Sequence, residues 1–301
     1  GEYLWLTKDH EQNLREIERV CPRAADAYEQ YGHDMDRVCQ AIKPLLDIVP
    51  PDPFSDDPEE LLALAGIGSR LRGLDKRTFH NAIRLLTGSA ADFLDDYFES
   101  DLLKGWLASS GIIGSKVGPR SQGSGLVLLY HSLGEHDGEF GSWAFHKGGN
   151  GGFTQVLARA ATAFGAEIRV DSPVERVLTR DGRATGVALR DGTEGTAGLI
   201  VSALDPRRTF LDPVDPHDLP DPRMDTVRRM KFQGVSSKVN FALSGLPRYP
   251  ALAERDDLFR GFLNIGPSMD YLERAFDAAK YGWYSPEPYI DGAIQSTIDP
   301  D

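Results

Sequence analysis

The sequence is short of three things: cysteine, positive charge and long apolar runs. Its two cysteines, Cys21 and Cys39, form no Cys-x-x-Cys pair and no disulfide framework. That usage suits a reducing compartment, and a cytoplasmic setting is expected, or a mitochondrial one in a eukaryotic relative. Lys and Arg number 33 against 46 Asp and Glu, for a net charge of −13. Such a balance argues against a nucleic-acid partner, because a phosphate backbone selects basic surfaces. The longest apolar run, GLVLLY at 125–130, falls far below the roughly 18 residues that span a bilayer. Peripheral membrane contact stays open as a route to a lipid substrate, although no strongly basic amphipathic helix supports it. No signal-peptide pattern opens the chain. It starts on Gly1 rather than Met and stops on IDPD, so it reads as a piece of a longer protein.

Most catalytic constellations are missing as well. There is no G-x-x-x-x-G-K-[ST] phosphate loop and no G-x-S-x-G nucleophile elbow. The seven histidines contain no H-E-x-x-H and no i, i+4 pair, so no histidine-built metal site is expected. Glu135-His136-Asp137 reads as a solvated turn between glycines rather than a ligand set. Gly66-Ile67-Gly68 has Leu71 where a dinucleotide fingerprint needs its third glycine, and a helical pattern rather than a strand precedes it.

What is present sorts into three parts. Residues 1–145 are mainly helical. Apolar or small residues recur at Leu14, Ile17, Cys21, Ala24, Tyr28, Tyr31, Met35, Val38, Ile42 and Leu45 in steps of three and four. Pro22 and Gly32 interrupt that face, which predicts two or more packed helices rather than one coiled coil. After a Pro- and Asp-rich linker, Asp57-Pro58-Glu59-Glu60 has the form of a helix start: cap, proline, then acids at the positive dipole end. Helices are predicted over 58–71, 76–87, 90–98 and 101–109. Residues 146–204 hold a glycine loop, a helix ending at Gly165, and strands over AEIRV, VERVLT, ATGVAL and TAGLIVSAL. Asp181-Gly182 and Asp191-Gly192 supply the turns of a β-meander. Residues 205–301 mix helices beginning at Asp205-Pro206, Asp221-Pro222 and 268–280 with strands at 236–243, 258–265 and 288–297.

The stretch HKGGNGGF places Gly148, Gly149, Gly151 and Gly152 ahead of an apolar helix. Glycines let backbone amides approach an anion, and a helix N-terminus adds partial positive charge. A tight turn needed only for packing explains the same residues, and both readings stand.

The order of elements is informative. Glycine loop, helix, GAEI, a strand opening at Pro173-Val174, two Asp-Gly turns, and a segment ending Ile200-Val201-Ser202-Ala203 resemble the central part of FAD-dependent oxidoreductases of the phytoene desaturase and amine oxidase group. GSWAFHKGGNGGFTQVLARAATAFGAEI, SGLVLLYHSLGE and IQSTIDP are similar to the phytoene-dehydrogenase-related branch, with Asn150 in place of its usual Met. The resemblance implies an α+β fold: a helical cap, a mixed β-sheet substrate domain, and a β-meander piece of an FAD-binding domain. It implies cofactor contacts at Gly148, Gly149, Val174, Ser202 and Ala203, and hydride transfer from an apolar substrate to flavin N5. His131, His146 and Lys147 are acid–base candidates near the flavin edge. Tyr130, Trp106, Trp143 and Phe145 are candidates to line an apolar tunnel, although plain core is the better reading of each. The family's βαβ fingerprint and its second flavin segment fall outside this sequence. FAD is therefore expected in the intact protein, with weak or no binding by this chain alone. A non-catalytic interaction module that keeps the fold is the alternative.

Overall fold

A computed structural model describes residues 3–219, 221–252 and 255–300. The first helices follow their caps. Asp9 accepts from the Gln12 amide and opens α1 (His10–Val20). The chain breaks at Cys21-Pro22, and α2 (Ala25–Ile42) then runs unbroken through Gly32. The interruption is therefore the proline's, which cannot supply an interior amide, while the glycine is tolerated. Asp57 caps α3 (Pro58–Arg72), Asp75 caps α4 (Lys76–Thr87), Ser89 caps α5 (Ala90–Asp95) and Ser100 caps α6 (Asp101–Ser109). Each cap satisfies amides that a helix start leaves without partners. Next come α7 (Ser124–Ser132) and a short hairpin of β1 (Glu135–His136) and β2 (Glu139–Phe140). Asp137 (φ 54°) and Gly138 (φ 88°) turn that hairpin, a third Asp-Gly turn of the kind read from sequence only further on.

Beyond the glycine loop lie α8 (Gly149–Ala163), β3 (Val174–Arg180), β4 (Arg183–Leu189), β5 (Glu194–Thr196), α9 (Pro206–Leu211) and α10 (Asp221–Arg229). The last elements are β6 (Phe262–Ile265), α11 (Met269–Lys280) and β7 (Ile290–Ala293). The described residues fall into two compact units, one drawn from 1–149 with 234–301 and the other from 150–233.

In the first unit the predicted apolar face of α1 and α2 packs as a core. Ile17, Tyr31, Met35 and Val38 join Leu85, Phe93, Leu94, Leu103, Leu128, Leu129, Met269 and Leu272 in one buried cluster. Asp34 is buried among them with its side chain 3% exposed. Arg77 grips its carboxylate from Nε and Nη2, and the Tyr97 hydroxyl donates to it at 2.7 Å. Burial alone would raise the Asp34 pKa; the hydrogen bonds from Arg77 and Tyr97 outweigh it and hold the pKa low. Besides the β1–β2 hairpin, this unit holds a two-stranded antiparallel ribbon of β6 and β7 in which Phe262 faces Ala293 and Asn264 faces Asp291. Residues 236–243, predicted as a strand, form no strand among the described residues.

The second unit is an antiparallel meander in the order β3-β4-β5 with helices beside it. Asp181 (φ 51°) and Gly182 (φ 70°) form a two-residue turn with both φ positive. The next turn differs. Only Gly192 is left-handed, and the Leu189 amide bonds to the Thr193 carbonyl at 2.8 Å, closing a three-residue loop. The predicted strand AEIRV is not one, and of TAGLIVSAL only Thr196 falls within β5; residues 197–204 form no strand and are mostly solvent-exposed. Helices and small antiparallel sheets together make an α+β chain.

Candidate functional site

The short linker between α7 and the glycine loop builds an aromatic wall in the first unit. Helix α7 presents Tyr130 and His131 on successive positions, with ring centroids 5.6 Å apart. The His131 ring stacks on Trp143 at 5.9 Å and 8°. Trp143 meets Phe262 edge-on at 5.9 Å, and Phe145 stacks on Phe262 at 5.3 Å. Edge-on and offset stacked pairs are favourable ring geometries. A wall of this kind would be ordinary core if it were covered, yet Trp143 is 54% and Phe262 is 48% exposed. Of the lining residues read from sequence, Tyr130, Trp143 and Phe145 come together here. Trp106 does not: it is half-buried against the helical core.

His131 is oriented by its own helix. Its Nδ1 lies 2.9 Å from the Val127 carbonyl. A carbonyl only accepts, so Nδ1 carries the hydrogen and Nε2 is left as the acceptor of the neutral ring. The wall thus includes a nitrogen that can take a proton or a hydrogen bond. His146 instead folds back on the main chain, with Nδ1 2.5 Å from the Lys147 carbonyl.

The ribbon adds a residue that the sequence did not single out. Directly opposed residues of an antiparallel pair point to the same side. Asp291 therefore shares a face with Asn264 and Phe262. Desolvation raises the Asp291 pKa. Next to it, the Tyr289 hydroxyl donates to Asn264 Oδ1 at 2.6 Å, and burial pushes the Tyr289 pKa up to about 12. Asp291 was missed because its surroundings come from strand pairing, and no motif around DGAI signals them.

The glycine loop resolves into two parts. Gly148 (φ 80°) and Gly149 (φ 63°) make the turn, whereas Gly151 and Gly152 lie inside α8. The Gly148 amide donates to an oxygen of the Asp299 carboxylate at 2.5 Å. The amide just ahead of α8 thus has a carboxylate of the chain itself as its acceptor. In the second unit, Val174 opens β3 opposite Leu189 and is 49% exposed. The Ser202 hydroxyl lies 2.8 Å from that of Thr209 and accepts the Leu204 amide at 3.2 Å; Ala203 is exposed.

Two surface hollows of about 250 and 190 Å³ line α2 and the α3–α4 turn, and neither includes a residue of the wall or the glycine loop. Among the described residues no three His, Cys, Asp or Glu side chains converge to hold a metal, and no helix is long and apolar enough to cross a membrane.

Residues 8–278 match the family described as flavin containing amine oxidoreductase, and the chain belongs to it. That family is one of flavin-containing oxidoreductases. Over 311 residues the chain is 33% identical to pyridine nucleotide-disulfide oxidoreductase domain-containing protein 2 of Mus musculus, covering 99% of this chain and 53% of that protein. It is 29% identical over 162 residues to the 4,4'-diapolycopene oxygenase of a Methylomonas species, 54% of this chain and 30% of that enzyme. A 64-residue stretch, 21% of this chain, is 39% identical to 12% of the neurosporene-forming phytoene desaturase of Rhodobacter capsulatus. The chain spans about half the length of the mouse relative that it matches almost throughout.

Proposed function

We propose that this chain is the substrate-side region of a flavin-dependent oxidoreductase that oxidises an apolar small molecule. The observation that carries the reading is the solvent-facing aromatic wall of Tyr130, Trp143, Phe145 and Phe262. Half-exposed stacked rings offer apolar area at a low conformational-entropy cost, which suits a hydrophobic substrate. The relatives named for phytoene and diapolycopene act on molecules of that apolar class. A flavin bound in the intact enzyme would supply the hydride-accepting chemistry. The wall aligns the substrate and excludes water, and His131 Nε2 and Asp291 are the groups placed to hold or move a proton beside it.

The fit to a whole dinucleotide is incomplete within this chain. A pyrophosphate needs a glycine turn between a parallel strand and a helix N-terminus, and all described strand pairs are antiparallel. Gly66-Ile67-Gly68 lies inside α3 rather than in such a turn. Gly148, Gly149, Val174, Ser202 and Ala203 are proposed as contacts completed by the rest of the intact protein. The test is the visible spectrum. The purified chain is expected to be colourless, and the intact protein to carry flavin near one-to-one; a yellow chain with stoichiometric flavin overturns the division of labour.

A further inference from the structure

Helix α3 buries none of its residues. Glu60, Leu64, Ile67 and Leu71, spaced four, three and four, are half-buried and mark its inward side. The outward side carries Leu62, Gly66 and Ser69, with Glu59 and Arg70 along one flank of it, all exposed; Arg70 also borders the hollow against α2. Leu62 is 75% exposed at the centre of that face. Gly66 is unexplained by the chain's own packing, because a Cβ there would meet no atom within 4 Å. A glycine inside a helix lowers its stability relative to alanine, so a flat spot is kept at a cost with nothing of this chain against it. The charges are polarised along the helix. Glu59 lies in the first turn, and Arg70 and Arg72 lie in the last. None of the three makes an ion pair among the described residues.

We propose that α3 is a self-association surface, pairing antiparallel with α3 of a second copy of this chain about a two-fold axis that crosses between Leu62 and Gly66. In an isologous contact each residue meets its counterpart's partner twice over. Leu62 of one copy then seats on Gly66 of the other, and Glu59 of one meets Arg70 of the other. Both pairings share nearly the same midpoint along the helix, so one axis satisfies them together. A parallel arrangement would set Glu59 against Glu59 and Arg70 against Arg70. The acidic flank of Asp52, Asp56 and Asp57 disfavours an anionic lipid surface, whereas in the antiparallel register Asp56 and Asp57 of one copy lie beside Arg72 of the other. The Asp52 amide bonds to Glu60 at 2.9 Å and holds the preceding segment beside the first turn. That segment carries Val49 and Phe54, which are 90% and 92% exposed, and it extends the apolar area. An interface this small, below about 1,200 Å², associates weakly and reversibly. The inference is independent of the flavin reading.

Sedimentation velocity of the full chain over a concentration series tests it. The chain is expected to be in monomer–dimer exchange. Gly66→Gln, which adds a good helix former into open space, abolishes the dimer while circular dichroism is unchanged. Glu59→Arg and Arg70→Glu each weaken dimerisation about ten-fold, because each turns two attractive contacts into two repulsive ones. The double variant restores it to within about three-fold of the original, although both changes oppose the helix dipole. Restoration therefore cannot come from a steadier helix. A chain that is monomeric throughout overturns the proposal. So does a dimer indifferent to Gly66→Gln, or a double variant no better than the single ones. A monomer captured by phosphatidylcholine vesicles through Leu62 assigns the face to lipid and overturns it equally.

Discussion

The Gly148 amide donates to the Asp299 carboxylate across 151 positions of sequence, at 2.5 Å. This contact ties the glycine loop to the segment that follows β7 and gives the left-handed turn an anionic acceptor. Asp299→Ala is expected to leave that amide facing water and to fray the first turn of α8, a local loss of about 1 kcal/mol. Hydrogen exchange at Gly148–Gly151 checks it: faster exchange there, with α4 and α6 unchanged, is the expected pattern. Gly148→Ala should destabilise by a further route, because φ of 80° costs a side-chain-bearing residue about 1–2 kcal/mol.

Asp34 and Asp291 set opposite pH dependences. Asp34 has a lowered pKa in the folded chain, so its stabilisation is present above the unfolded carboxylate value of about 3.9 and is lost as pH falls through the lower folded value. Asp34→Ala should cost about 2–4 kcal/mol at neutral pH, since it removes a buried, multiply bonded carboxylate. Its stability deficit should shrink in acid. Urea unfolding from pH 7 down to pH 3 reads both effects.

Asp291 has a raised pKa from desolvation. The protonated form is favoured on folding, so its favourable contribution exists below about 3.9 and disappears as pH rises through the raised folded value. Asp291→Asn is expected to stabilise the chain at pH 7 and to change little at pH 3. A destabilised Asn variant at pH 7 would mean the carboxylate is held by a partner rather than by desolvation.

Gly186 sits in β4 where a Cβ would clash with the Gly195 carbonyl oxygen of β5. Gly186→Ala should therefore push β5 away and cost about 1–3 kcal/mol. Thermal unfolding and loss of amide protection at Ala197, whose N–H bonds to the Thr185 carbonyl at 3.0 Å, would show it. A neutral substitution would mean that β5 can shift without loss.

The helical half was legible in the sequence because its signals are local. Asp57, Asp75, Ser100 and Ser268 each cap a helix within the same few residues that announce it. The Asp181-Gly182 turn was legible for the same reason. Strands need a partner, and that is a tertiary fact. Residues 197–204 and 236–243 carry strand-like sequences, yet neither finds a ladder among the described residues. The aromatic wall was half legible. Tyr130, Trp143 and Phe145 lie close in sequence, but Phe262 reaches them only through the fold and Asp291 only through its register with Asn264. Trp106 looked equivalent because sequence does not show which side of α6 meets the core.

The central claim is that the wall receives an apolar substrate beside a flavin. Anaerobic flavin reduction in the intact protein by a panel of apolar polyenes and lipids tests it most directly, comparing the natural sequence with Trp143→Ala and Phe262→Ala. The expected result is bleaching of the flavin band by at least one apolar member, with its half-saturating concentration raised about ten-fold in each variant, as for a lost aromatic contact of about 1.5 kcal/mol, and flavin content unchanged. Bleaching that is identical in all three proteins, or an intact protein that carries no flavin, would contradict the account.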